Sequence, residues 1–212
     1  MERTSVTDIY DQIADWFDAA RNKSLVERES LDAILAHLTP GAQVLDLGCG
    51  TGEPIARYFI ESGCKITGID GAESMIAKAS RRFPDHYWHV QDMREFTSEQ
   101  KFDVILAWDS FFHLPRHDQR AMFTLFEKVS APNAFLLFSC GHHEAQSWSP
   151  MFGKEEVAMY HASLSTREYR QLLTTHGFIV LKHKTSDPKC GGRTYWLARK
   201  SQARLTTESP IL

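Results

Sequence analysis

The chain has few cysteines and none near another. Cys49, Cys64, Cys140 and Cys190 form no C-x-x-C pair. This spacing excludes a dithiol redox motif and a thiol-rich zinc site, and it reads as reduced thiols rather than a disulfide framework. An excess of basic charge is also missing: 24 Lys and Arg stand against 27 Asp and Glu, a net charge of −3. The basic footprint of a nucleic-acid binder is therefore absent, and no nucleic-acid partner is expected. The longest apolar runs are of strand length, so no membrane span is expected. Met1 to Ser5 lack the charged and apolar regions of a secretory leader, which makes the cytoplasm the expected location. Repeats and low-complexity tracts are missing too. What remains is ordinary for a globular protein, with 42% hydrophobic and 24% charged residues. A chain of 212 residues in one domain would bury roughly 70% of its unfolded surface.

The most informative stretch is Val44-Leu45-Asp46-Leu47-Gly48-Cys49-Gly50-Thr51-Gly52, an apolar strand followed by three alternating glycines. A helix from Pro54 to Glu61 follows. Strand, glycine turn and helix make a nucleotide-binding corner, because glycine lets a ligand lie against backbone. A dinucleotide fingerprint would place its third glycine where Glu53 stands. A carboxylate there repels a pyrophosphate at the helix N-terminus, and Asp46 adds a second negative charge. The corner suits a nucleoside ligand without phosphate and with positive charge. A dehydrogenase is disfavoured on the same ground.

Apolar spacing predicts the rest of the architecture. Val6, Ile9, Tyr10, Ile13 and Phe17 recur at helical period behind a Ser5 cap, and Ser24 to Glu27 reads as a capping box before a second helix. Thr39-Pro40-Gly41 stops that helix. Strands at 44–47, 65–69, 87–90, 103–108 and 134–139 alternate with helices at 54–61, 74–82 and 118–129, the pattern of a parallel sheet covered on both faces. Ser165 to Glu168 is a further capping box, and Gly177 ends its helix. Strands 178–184 and 194–199 have no room for a helix between them, so they must be antiparallel. Asp187, Cys190, Gly191, Gly192 and Trp196 read as turn and packing residues there.

Asp46 to Gly52 resembles the D-x-G-x-G-x-G motif of class I S-adenosylmethionine-dependent methyltransferases, and three further motifs follow in the family's order. Ile66-Thr67-Gly68-Ile69-Asp70 is similar to its second strand, whose terminal acid takes two ribose hydroxyls. Gln91-Asp92-Met93 is similar to its adenine clamp. Phe102 to Trp108 resembles its fourth strand, whose end faces the reacting centre. The resemblance spans about residues 5 to 200 and implies an α/β Rossmann-like fold. Its seven-stranded sheet is mostly parallel with the last strand antiparallel, and helices cover both faces. It also implies S-adenosylmethionine as cofactor and one domain over 1–212. Within that domain, helices at 1–38 cap the site, 42–140 bind cofactor, and 141–165 form a lid. A final helix and hairpin occupy 166–200, and 201–212 form a tail.

The cofactor candidates implied are Tyr10, Arg21, Asp46, Gly48, Cys49, Gly50, Asp70, Gly71, Met75, Asp92, Met93 and Ala107. Tyr10 or Arg21 would reach the methionine carboxylate from the N-terminal helix, and an arginine fork suits a carboxylate. Met75 and Met93 would line the adenine pocket, although methionine also fills cores. The connection after Cys140 is unusually long and rich in aromatics, and it leaves the ligand side of the sheet. It reads as a substrate wall. Trp16, Trp108, Phe112, Trp148 and Tyr160 are the substrate candidates.

Methyl transfer needs a base only when the acceptor arrives protonated. His113 is the first candidate, since its unperturbed pKa is near neutrality, with Asp109 second and His161 third. The histidines His142, His143 and His161 match no metal spacing, and no metal is expected. The expected function is methylation of a small molecule, oxygen favoured over nitrogen or carbon, by a monomer or homodimer. Two alternatives use the same pocket: cyclisation of the cofactor to azetidine-2-carboxylate with release of methylthioadenosine, and a non-catalytic cofactor sensor.

Overall fold

A computed structural model describes residues 5–151 and 153–202. The chain runs α1 (Val6–Ala20), α2 (Arg28–Leu35), β1 (Gln43–Leu47), α3 (Ile55–Glu61), β2 (Lys65–Asp70), α4 (Glu73–Arg82), β3 (Tyr87–Val90), β4 (Phe102–Ala107) and α5 (Arg116–Val129). It continues through β5 (Ser130–Cys140), β6 (Ala145–Met151), β7 (Lys154–Ser163), α6 (Thr166–Thr175), β8 (Phe178–Asp187) and β9 (Arg193–Lys200).

Seven strands form one sheet in the order β3-β2-β1-β4-β5-β9-β8. Pairing is parallel from β3 to β5, and β9 runs antiparallel to both β5 and β8. The expected mostly parallel sheet with its last strand reversed is therefore present. The period of two along each strand builds two cores. Leu45, Leu47, Ile105, Leu136, Phe138 and Trp196 face Phe123 and Phe126 of α5 and Tyr169 of α6. Val44, Val104, Leu106, Leu137 and Leu197 face Leu31, Ile34 and Phe59 of α2 and α3. Helices thus cover both faces.

Three sequence expectations change in detail. Ser165 caps α6, accepting from the Glu168 N–H at 3.2 Å, and Ser5 caps α1 at 3.1 Å. Ser24 caps nothing: α2 starts after Glu27 with no side-chain cap, and Leu25 turns the chain at φ 50°. The fifth strand begins at Ser130 rather than Ala134. The connection after Cys140 is regular structure, a hairpin of β6 and β7 that pairs Trp148 with Tyr160. In the expected tail, residues 203–212 lie outside the described residues.

Candidate active site

A cavity of about 550 Å³ opens where β1, β2 and β4 end, with α1 on one side and the β6–β7 hairpin on another. Its floor is the glycine turn. Gly48 and Gly50 line it and adopt φ 78° and 53°, left-handed values that favour glycine. A Cβ at Gly48 would stand 2.2 Å from the Ser110 Cβ, so that position has no room for a side chain. Asp70 holds the turn in shape: its carboxylate accepts from the Gly50 and Ala72 N–H groups, each at 2.9 Å. Cys49 and Gly71 also line the cavity. Gly71 is pressed by α1, for a Cβ there would meet Thr7 Cγ2 at 2.8 Å.

Asp46 does not line the cavity. It is buried beneath the turn, and burial, then the charge of Asp70, push its carboxyl up to about 7. The sign is destabilising: a carboxyl raised in the folded state contributes stability below its unfolded pKa and loses it as pH rises through 7. Asp46→Asn should therefore raise the melting temperature of the ligand-free protein at pH 8, by about 5–10 °C for a few kcal/mol relieved. The gain should shrink toward pH 5, as followed by thermal melts across pH. An unchanged melting temperature at pH 8 would count against the buried charge.

Glu53 lines the cavity, but its carboxylate is tied back. It accepts from Arg57 Nε at 2.9 Å and Nη2 at 2.5 Å, with Arg82 Nε 3.7 Å away. These cations largely cancel the repulsion that the sequence assigns to Glu53, a correction to that part of the electrostatic reading.

At another edge, Met75, Met93 and Asp92 line the cavity together with Arg94, which sequence reasoning missed. The Asp92 carboxylate is engaged by Arg94 Nε at 3.0 and 2.9 Å, and Arg94 also reaches Asp118 at 2.8 Å. The bond from Arg94 outweighs burial and holds Asp92 below its ordinary range. Ala107 is fully buried in the core and does not line the cavity, because its Cβ points to the α5 side of β4.

Helix α1 supplies a wall of Thr7, Tyr10, Phe17 and Arg21. A ladder of acids fastens it to α4. Asp11 accepts from the Ser74 N–H at 2.7 Å, Asp15 meets Lys78 at 2.5 Å, and Asp18 takes the Arg82 fork at 3.0 and 2.7 Å. Thr51 of the glycine turn also donates to Asp18, at 2.8 Å. Trp16 does not line the cavity. It packs on Gly153 and Lys154 at the tip of the hairpin, the Lys154 Nζ standing 5.1 Å from its ring.

The chemical end lies beyond β4. His113 sits in a short 3-10 turn, Phe111–His113. Its Nδ1 is 2.7 Å from the Tyr160 carbonyl, which only accepts, so Nδ1 carries the proton. Nε2 is then a lone pair, and the Tyr10 hydroxyl donates to it at 3.2 Å. Burial lowers the His113 pKa to about 4, leaving the ring neutral at physiological pH. Burial also raises Tyr10, whose phenol stays protonated. Tyr160 and Trp148 of the hairpin and Trp108 beyond β4 line the cavity. The Trp108 indole N–H is buried without a hydrogen-bond partner. His161 and Phe112 do not line it. They back His113, with ring centroids 4.9 and 4.8 Å from its own, and His161 bonds Ser149 at 3.0 Å.

Asp109 lines the cavity but is unsuited to be a base. Arg193 grips it with Nε at 3.0 Å from both oxygens and Nη2 at 2.7 Å from one, while Arg21 Nη1 adds a contact at 3.3 Å. Burial pushes its carboxyl up, yet Arg193 and Arg21 together hold it below its ordinary range. Its left-handed φ of 51° is sustained by these bonds and by its N–H, which donates to Ser139 Oγ at 2.7 Å. Among the described residues no cluster of His, Cys, Asp and Glu could hold a metal, and no helix is long and apolar enough to cross a membrane.

A sheet of this order, with a glycine cradle at the end of β1 and an acid at the end of β2, defines the class I methyltransferase fold. Residues 44–133 match the family described as a methyltransferase domain. The chain is 37% identical over 105 residues to trans-aconitate 2-methyltransferase of Escherichia coli O1:K1 / APEC, covering 48% of this chain and 39% of that one. It is 43% identical over 83 residues to malonyl-[acyl-carrier protein] O-methyltransferase of Enterobacter lignolyticus, covering 38% and 33%. The chain thus spans well under two thirds of the length of these relatives. The structure resembles 1,6-didemethyltoxoflavin-N1-methyltransferase of Burkholderia thailandensis, solved with S-adenosylhomocysteine, at a TM-score of 0.66 and 19% identity over 95% of this chain and 93% of the other. Residues 44–133 thus match a methyltransferase domain, and they sit in a chain with the class I methyltransferase fold.

Proposed function

We propose that the protein is a cytoplasmic enzyme that transfers the methyl group of S-adenosylmethionine to a small-molecule acceptor at oxygen, leaving S-adenosylhomocysteine. The chain acts as one unit: helices in 1–38 cover the site, 42–140 hold the cofactor, and 141–165 wall the acceptor. The residues fit the cofactor, since a glycine cradle with no room for a Cβ at Gly48 adjoins Asp70, Asp92 and Arg21 at the cavity. The observation that carries the acceptor reading is His113, a cavity-lining residue, neutral, with its tautomer fixed by the Tyr160 carbonyl and its Nε2 lone pair accepting from Tyr10, which also lines the cavity.

Bound S-adenosylmethionine supplies an activated methyl group on a sulfonium that departs as a neutral thioether. Trp108, Trp148 and Tyr160 exclude water and align the acceptor for in-line attack. His113 Nε2 takes the acceptor's proton in place of the Tyr10 hydroxyl. The imidazolium so formed replaces the positive charge lost at sulfur, so the buried site's charge is conserved. Oxygen is favoured because a hydroxyl arrives protonated and needs such a group, and the O-methyltransferase among the relatives supports the choice.

Arg21 holds the methionine carboxylate in this reading. Arg21→Ala should weaken S-adenosylhomocysteine binding severalfold in calorimetry, and an unchanged dissociation constant would remove the assignment. The test of the reaction is to incubate the pure protein with S-adenosylmethionine, alone and with a metabolite extract, and to identify the nucleoside product. S-adenosylhomocysteine that appears only with extract is the expected result. Methylthioadenosine from cofactor alone would replace the proposal with cyclisation, and no turnover would replace it with a sensor.

A further inference from the structure

We infer that Arg193 is a positioning residue for the cofactor: through Asp109 it aims Arg21 at the amino-acid carboxylate. This rests on the reading that Arg21 holds that carboxylate.

Arg193 does not line the cavity. It enters from the turn between β8 and β9, directly after Gly191 and Gly192. Its fork occupies the Asp109 carboxylate almost completely, with Nε to both oxygens and Nη2 to one. Arg21 retains a single contact on that carboxylate, Nη1 to Oδ2 at 3.3 Å. Two guanidinium groups therefore share one carboxylate, and the trio carries a surplus positive charge. Glu27 also feels both guanidinium groups, and burial pushes its carboxyl up.

The asymmetry of the contacts assigns the roles. Arg193 satisfies Asp109, so Asp109 makes little demand on Arg21, which lines the cavity. Without Arg193, Asp109 would claim the Arg21 fork for itself as a neutral bidentate pair. An α-carboxylate would then compete with a buried carboxylate for the same donors. Asp109 is thus a seat for Arg21, and Arg193 keeps that seat from becoming a trap. Ser139 fixes it from a third side, donating to Asp109 Oδ1 at 3.3 Å.

Calorimetric titration with S-adenosylhomocysteine and with 5′-methylthioadenosine separates this role from a structural one, because only the former carries the amino-acid carboxylate. Arg193→Met should weaken S-adenosylhomocysteine about fivefold to tenfold and leave methylthioadenosine within twofold. Arg193→Lys, which keeps the charge without the fork, should fall between wild type and Arg193→Met, and it serves where the methionine variant does not fold. The double variant Arg21→Ala/Arg193→Met should bind no more weakly than Arg21→Ala. Equal weakening of both ligands, additive losses in the double variant, or wild-type affinity in Arg193→Met would each overturn the inference. Wild-type affinity in Arg21→Ala would instead remove the carboxylate reading on which it stands.

Discussion

Replacing His113 by asparagine is expected to lower acceptor-dependent formation of S-adenosylhomocysteine by about 10²- to 10³-fold, the range of a positioned proton acceptor. Affinity for S-adenosylhomocysteine should stay within twofold, because the reading gives His113 no cofactor contact. The wild-type kcat/KM should lose its acid limb near pH 4 rather than near the usual histidine value, since burial lowers His113 to about 4. The sign is fixed by the protonation state: the neutral ring accepts the proton, so activity is present above that pH and lost below it. The same shift acts on stability. A histidine neutral in the folded state and protonated below about 6.5 when unfolded costs stability as pH falls from there toward 4. A variant that retains wild-type turnover would leave proton removal to water and reduce His113 to a packing residue.

Gly48→Ala is the second large effect. The new Cβ would overlap the Ser110 Cβ at 2.2 Å on a backbone already at φ 78°. Ser110 has little room to yield, since its hydroxyl donates to the Leu47 carbonyl at 2.6 Å and it is buried. Overpacking of about 1–3 kcal/mol and left-handed strain of about 1–2 kcal/mol then combine. At about 2–4 °C per kcal/mol the melting temperature should fall by about 10 °C. The displaced cradle should also weaken S-adenosylhomocysteine binding, as read by calorimetry. Gly41→Ala is the control. Its φ is 85°, but nothing lies within 4 Å of the new Cβ, so it should cost stability modestly and leave binding intact. Equal ligand affinity in the two variants would deny the cradle its role.

Much of this was legible from residue order. The alternation of Val44, Leu45, Leu106 and Leu136 between two apolar faces is a local property, and it fixed strands, sheet and helix coverage together. Glycine spacing and the acid at Asp70 were equally local. The site's outer parts were less accessible. Trp16 and Phe112 have the composition of a substrate wall, but their direction depends on how α1 and the hairpin pack, and both point away from the cavity. His161 sits one residue beyond a lining residue, and strand alternation turns it to the other side. Arg193 and Asp109 are 84 positions apart, and nothing local to either announces their pairing. The acids at positions 11, 15 and 18 recur at helical spacing along one face, as do their partners Ser74, Lys78 and Arg82 on a second helix.

That ladder has a consequence for how the protein breathes. The apolar contact under α1 is small, with Ala14, Ala72 and Met75 at its centre, so the helix detaches at far less cost than the sheet unfolds. Part of the cavity wall is therefore held more by polar contacts than by apolar burial. A ligand that requires the docked helix stabilises it by mass action. Occupancy and the folding of α1 are then a single equilibrium, and the cofactor serves as a folding partner for its own cover.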